Sequence, residues 1–109
     1  MINKPILLDL FCGAGGCTKG YQLAGFYVVG VDYKSQKHYI GDQFVLCDAI
    51  YYLWHYGSLY DAIHLSPPCG FYSKMSRSSK TQNNHPNLVP ILQDILSDMN
   101  KPYILENVE

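Results

Sequence analysis

With 109 residues and a formal net charge of −1, the chain holds at most one small domain and carries no basic field for phosphate. Any nucleic-acid partner must be met by local Lys and Arg or by protein outside this chain. Hydrophobic residues at 48% and charged residues at 16% give a globular balance that excludes a disordered chain. The four cysteines form no C-x-x-C pair and no Cys/His spacing of the zinc-binding kind, so no metal is expected. The opening Met1-Ile2-Asn3-Lys4-Pro5 is not a signal peptide, and no apolar run approaches membrane-spanning length. The expectation is therefore a soluble, cytoplasmic chain with reduced thiols and no membrane partner.

Ile6-Leu7-Leu8-Asp9-Leu10-Phe11 is a nearly continuous apolar run between Pro5 and a glycine cluster, the pattern of a strand buried on both faces of a parallel sheet. Gly13-Ala14-Gly15-Gly16 makes the turn, 18–24 a short helix capped by Gly25, and 26–31 a second strand ending at Asp32. A weak third strand is expected over 43–46, a helix over 49–56 and a fourth strand over 61–65. The stretch 71–84 is Ser-, Lys- and Asn-rich without apolar period and reads as a long functional loop. His85-Pro86-Asn87 opens a helix whose Leu88, Ile91, Leu92, Ile95, Leu96 and Met99 share one face, and Lys101-Pro102 ends it before a fifth strand at 103–105. Strands alternating with helices imply one layered α/β unit, a parallel sheet with right-handed crossovers and helices on both faces.

A strand, a glycine turn, a helix, a second strand and a terminal acid make a nucleoside-binding βαβ unit. Asp32 follows Gly13 by 19 residues, a spacing that lets its carboxylate reach ribose hydroxyls. The glycines are not G-x-G-x-x-G; with Asp9 in the preceding strand they suit a small charged group such as an amino acid moiety better than a pyrophosphate. The alternative is a tight turn with a solvated strand end. Tyr33 could stack on an adenine face or simply pack, and Asp48 could accept from an adenine amino group, cap a helix, or do both.

Ser66-Pro67-Pro68-Cys69-Gly70 follows the fourth strand. Two prolines fix φ and remove two backbone donors, so the chain leaves the ladder as a stiff loop that presents Cys69 at a strand's carboxyl end, where open α/β sheets place their ligands. The competing reading of Cys69 is a buried free thiol. Cys12, Cys17 and Cys47 read as packing residues, and His38, His55, His64 and His85 show no catalytic arrangement.

Taken in order, Asp9-Leu10-Phe11-Cys12-Gly13-Ala14-Gly15-Gly16, Gly30-Val31-Asp32, Asp48, Ser66-Pro67-Pro68-Cys69 and Glu106-Asn107-Val108 resemble the cytosine-5 DNA methyltransferases. The resemblance runs through essentially the whole chain. It implies a Rossmann-like methyltransferase fold limited to its first five strands, the N-terminal part of a catalytic domain with no target-recognition domain. It also implies S-adenosylmethionine as cofactor and a flipped-out cytosine of DNA as substrate. On this resemblance Cys69 is the nucleophile that adds to C6, Glu106 holds N3 of the base and Asn107 braces the loop. Asp9, Phe11, Cys12, Gly13, Ala14, Gly15, Gly16, Asp32, Tyr33, Asp48, Ala49, Pro68 and Leu88 form the cofactor pocket.

The chain departs from the family at Gly70, where Gln is common, and in ending soon after the Glu-Asn-Val motif. Family members continue through an arginine-bearing motif, a target-recognition region and a closing C-terminal segment. Two alternatives therefore stand beside the DNA enzyme: an inactive remnant or cofactor-binding half needing a second polypeptide, and a tRNA cytosine-5 methyltransferase. Lys74, Arg77 and Lys80, with Tyr72 interleaved, give modest attraction to phosphate or form a solvated loop. An exposed sheet edge makes the chain alone prone to association.

Overall fold

The computed structural model describes residues 3–67 and 89–106. Pro68, Cys69, Leu88, Asn107, the 71–84 loop and the start of the helix opened by His85-Pro86-Asn87 lie outside the described residues.

Five parallel strands form one sheet in the order β3-β2-β1-β4-β5. They are β1 (Ile6–Leu10), β2 (Tyr27–Asp32), β3 (Gln43–Leu46), β4 (Ala62–Leu65) and β5 (Tyr103–Leu105). The helices are α1 (Thr18–Leu23), α2 (Ala49–Tyr56), followed by a single 3₁₀ turn at Gly57–Leu59, and α3 (Val89–Met99). Among the described residues, no helix is long and apolar enough to cross a membrane.

Side-chain alternation assigns the two faces. Leu8, Leu10, Val29, Val31, Ile63 and Leu65 point to one side, where Ile50 and Leu53 of α2 and Leu92 and Leu96 of α3 complete the main core. Each of these side chains is essentially fully buried, and burial of that kind contributes roughly 1.5–3 kcal/mol per residue. The opposite face carries Leu7, Asp9, Val28, Gly30 and His64, with Thr18 and Tyr21 of α1 set against it. β1 and β5 begin directly after Pro5 and Pro102 and β4 directly after Asp61, while β3 and β5, both without a fully buried residue, are the weak strands.

Boundaries shift by a residue where local geometry decides. β1 ends at Leu10, not Phe11, because Phe11 turns to φ 60 and leaves the ladder. β4 begins at Ala62; just before it, the Asp61 carboxylate accepts from Ile6 N–H at 2.8 Å and Asp61 N–H donates to Ile6 O at 2.9 Å, stapling the amino ends of β1 and β4. α1 stops at Leu23, with Ala24 as its cap and Gly25 at φ 102 turning the chain into β2.

Gly30 has a steric reason that its place in the second motif does not reveal. The Tyr39 ring lies in the space that a side chain at position 30 would need, tilted against Phe44 at 5.6 Å between centroids. Gly30→Ala should force Tyr39 out and destabilise the fold by about 1–3 kcal/mol. The check is the urea midpoint, and an unchanged midpoint would show that Tyr39 is not held there.

The edge strand β5 leaves Tyr103 and Ile104 exposed, Ile104 in register with His64 on the face where α1 lies. Together with exposed Leu23, Leu46, Trp54 and Leu59, this supplies the apolar surface expected of a chain prone to association.

Candidate functional site

The strand order reverses between β1 and β4. One connection from β1 runs outward through β2 to β3, and the next returns to β4 on β1's other side, so the chain diverges above the carboxyl ends of β1 and β4. Open α/β sheets bind ligands in such a crevice. Those expected site residues that are described lie at this end of the sheet.

The first part is the turn after β1. Phe11 at φ 60, Gly13 at φ 54 and Gly15 at φ 103 place three residues in left-handed backbone within five positions. For Phe11 this is strain worth about 1–3 kcal/mol, of the kind that collects at binding sites. A Cβ on Gly15 would stand 2.8 Å from Thr18 Oγ1 and 3.0 Å from Ile40 Cγ1, so only glycine fits there. Gly16 has open space around it.

Asp32 ties this turn to β2. Its Oδ2 accepts from Gly13 N–H at 2.8 Å and its Oδ1 from Lys34 N–H at 3.2 Å. The carboxylate therefore both fixes the glycine turn and stands half-buried at the strand end with lone pairs to spare. Asp32 is thus more than a solvated strand end, since it holds the glycine turn in place. Tyr33 beside it is exposed, with Lys34 Nζ 5.6 Å from its ring centroid. Asp48 caps α2, accepting from Tyr51 N–H at 3.0 Å, and Ala49 is buried as the first helical residue.

Asp9 lies beneath the turn at 2% exposure, with Thr18 Oγ1 donating to it over a long 3.5 Å. Burial, reinforced by Glu106 and Asp32, pushes its carboxyl up to about 7 despite the Thr18 hydrogen bond. Cys12 is buried, its Sγ donating to Gly13 O at 3.3 Å, and burial beside Asp9 and Asp32 pushes the thiol up to about 12. That fits a packing residue. Cys47 is half-buried beside the core, also as a packing residue.

The second part lies above β4 and β5. Glu106 N–H donates to Leu65 O at 2.8 Å, which sets Glu106 next to Ser66 at the end of β4. The Glu106 side chain is half-exposed, and its Oε1 is 3.3 Å from His64 Nε2. His64 Nδ1 in turn meets the Tyr21 hydroxyl at 2.6 Å. Burial lowers the imidazole pKa against the opposing pull of Glu106, so His64 is held toward its neutral form. Cys17, in the N-cap position of α1, brings its sulfur to the same place, so that Cys17, His64 and Glu106 offer one ligand atom each within 4.8 Å.

Two expectations need correcting here. His64 belongs to a polar cluster at the site, and Cys17 is exposed, not packed. Chain order hides both, because Tyr21 and His64 lie 43 residues apart and meet only through the β1-β4 pairing and the placement of α1. Tyr39, whose ring fills the space over Gly15, Gly30 and Gly41, was equally invisible. A polar residue inside an otherwise apolar β4 run, Ala62-Ile63-His64-Leu65, is the one signal that could have flagged His64.

The structure therefore brings Asp9, Phe11, Cys12, Gly13, Ala14, Gly15, Gly16, Asp32, Tyr33, Asp48, Ala49 and Glu106 to the carboxyl side of one sheet. Among the described residues, Ser66 and Pro67 are the last before the segment that holds Cys69.

No protein-family model and no curated protein matches this chain. Among solved structures it is similar to the crystal structure of the SAM-dependent methyltransferase from Agrobacterium tumefaciens, with a TM-score of 0.62 and 19% identity over 96% of this chain. The chain spans 39% of the length of that protein. The sheet order and flanking helices are accordingly those of a Rossmann-like SAM-dependent methyltransferase fold.

Proposed function

We propose that this chain is the cofactor- and nucleophile-bearing part of an S-adenosylmethionine-dependent cytosine-5 methyltransferase acting on DNA. The observation that carries the reading is the strained glycine turn bridged to Asp32, set beside Glu106 at the switch point of a methyltransferase-type sheet. In sequence, Ser66-Pro67-Pro68-Cys69 follows directly on β4.

The residues fit the cofactor's chemistry. A desolvated carboxyl at Asp9 suits a cation such as an amino acid ammonium, the spare lone pairs of Asp32 suit ribose hydroxyls, and the exposed ring of Tyr33 suits a flat base. When bound, S-adenosylmethionine supplies an activated methyl group.

On this reading Cys69, as thiolate, adds to C6 of cytosine, and the electron pair displaced from the 5,6 double bond makes C5 nucleophilic. Glu106 holds N3 and offsets the charge that develops on the ring, and Asn107 braces its loop. After C5 takes the methyl group, loss of the C5 proton and release of Cys69 restore the ring. The base must leave its stack to be reached.

The experiment is to incubate the chain with labelled S-adenosylmethionine and a DNA duplex carrying 5-fluorocytosine, which blocks loss of the C5 proton and holds the adduct on Cys69. A methylated adduct mapped to Cys69 supports the reading, and tRNA run in parallel separates the RNA substrate. An adduct on another cysteine overturns it. The exposed Ile104 and Tyr103 on β5 favour a second form of the same reading, a cofactor-binding half completed by another polypeptide. Its mark is cofactor binding with no adduct until that polypeptide is added.

A further inference from the structure

We propose that Cys17, His64 and Glu106 form a binding site for a single divalent ion of the zinc type. The three side chains come from three separate elements, the N-cap position of α1, the middle of β4 and the residue after β5, and converge within 4.8 Å. The proposal stands independently of the methyl-transfer reading.

The independent observation is His64 Nε2. The imidazole is 2% exposed, and Nε2 is fully buried without a hydrogen-bond partner among the described residues, although Glu106 Oε1 stands 3.3 Å away. A buried ring nitrogen so close to a carboxylate, and not aligned with it, calls for something between them. Zinc bound at about 2.0–2.2 Å to nitrogen and oxygen has a tetrahedral ligand–ligand edge of roughly 3.3–3.5 Å. The observed separation matches that edge.

The other ring nitrogen is arranged as a metal-bound histidine requires. Nδ1 meets the Tyr21 hydroxyl at 2.6 Å, and when Nδ1–H donates to that oxygen the Nε2 lone pair is free for an ion. Cys17 is exposed, so its side chain can close the remaining distance by rotation, and binding releases its thiol proton to solvent. Sulfur, imidazole and one carboxylate are the donor set of zinc and not of calcium or magnesium, which take oxygen. Three protein ligands leave a fourth position for water. On the methyl-transfer reading, an ion on Glu106 takes away the carboxylate that holds the base, so ion and base exclude one another.

The test is to titrate the metal-free chain with Co²⁺, a spectroscopic stand-in for zinc. The expected result is visible bands of a tetrahedral ion with a thiolate-to-cobalt charge-transfer band, saturating at one equivalent and abolished by added Zn²⁺. Cys17→Ser should remove the charge-transfer band, Glu106→Gln should weaken binding, and Tyr21→Phe should weaken it about 10–100-fold. Cys69→Ser should change nothing. Cys17 and Glu106 are exposed, so both variants should fold, which circular dichroism verifies. Absence of the bands, their persistence in Cys17→Ser, or their loss in Cys69→Ser would overturn the site. None of these readouts depends on methyl transfer.

Discussion

On the proposed reading, Cys69→Ala should abolish methyl transfer to cytosine, with a loss of at least about 10³-fold, while leaving affinity for S-adenosylmethionine and the thermal transition unchanged. The size of the effect follows from the chemistry. C5 of cytosine is a poor nucleophile until a group adds at C6, so removing the thiol removes the activation itself and not a contribution to it. The contrast with the other cysteines sharpens the prediction. Cys12 is buried with its thiol pushed up to about 12, and Cys47 is raised by burial and by Asp48, so neither supplies a thiolate near neutrality. Cys17 is likewise raised by partial burial, then by Glu106 and Asp9. Single alanine variants at these three positions should keep transfer within a few-fold, measured as label incorporated into DNA per unit time. Loss of transfer in Cys12→Ala or Cys47→Ala with Cys69→Ala active would assign the nucleophile elsewhere.

Asp9→Asn should remove a fall in stability that the unmodified chain shows between about pH 4 and pH 7. Burial in the folded chain pushes the Asp9 carboxyl from its ordinary 3.8 up to about 7. Its folded-state pKa is raised, so the contribution is intact below pH 4 and is lost as pH rises toward 7, because the unfolded chain releases a proton that the folded chain keeps. About three units correspond to a loss on the order of 4 kcal/mol by pH 8. The Asn side chain removes that titration but buries an amide with Thr18 as its one visible partner, which costs about 1–3 kcal/mol. A net gain of about 1–3 kcal/mol at pH 8 is expected, turning into a net loss of about 1–3 kcal/mol at pH 4, where the Asp9 titration has almost no effect left to remove. His64 acts with the opposite sign, since its lowered pKa makes stability rise with pH toward 6.5, but it is common to both proteins and cancels in the difference. Urea unfolding in chelator-containing buffer across pH 4–8 is the check. Equal pH slopes for the two proteins would show that Asp9 is not desolvated. Because a desolvated carboxyl is also what would receive the cofactor's ammonium group, the stabilised variant should bind S-adenosylmethionine more weakly, a trade of function for stability.

Much of the scaffold was legible because its signals are local. The apolar runs before Gly13 and before Asp32, and the α3 face of Leu92, Ile95, Leu96 and Met99, each carry their own period and their own stop residues. Gly13, Gly15 and Asp32 were legible because a turn that needs positive φ selects glycine and a strand end beside it selects an acceptor. Asp48 was legible as a cap for the same local reason. The Tyr21-His64-Glu106-Cys17 cluster was not, because it exists only once β1 and β4 pair in register and α1 lies across them. The place of Tyr39 over Gly30 was hidden likewise: a side chain filling a space from another loop leaves no periodic mark. β1 ended one residue early where Phe11 turns to positive φ, and Asp61, bonded to Ile6 through both backbone and side chain, sits just before β4; propensity does not register such contacts.

The central claim is that the glycine turn and Asp32 form a seat for S-adenosylmethionine, and calorimetric titration of the folded chain with that cofactor tests it most directly. The account predicts one saturable site, unaffected by Cys69→Ala and weakened by Asp9→Asn. A chain that is folded by circular dichroism and takes up no S-adenosylmethionine, or binds it equally well in Asp9→Asn and in a Gly15→Val variant that remains folded, would contradict it.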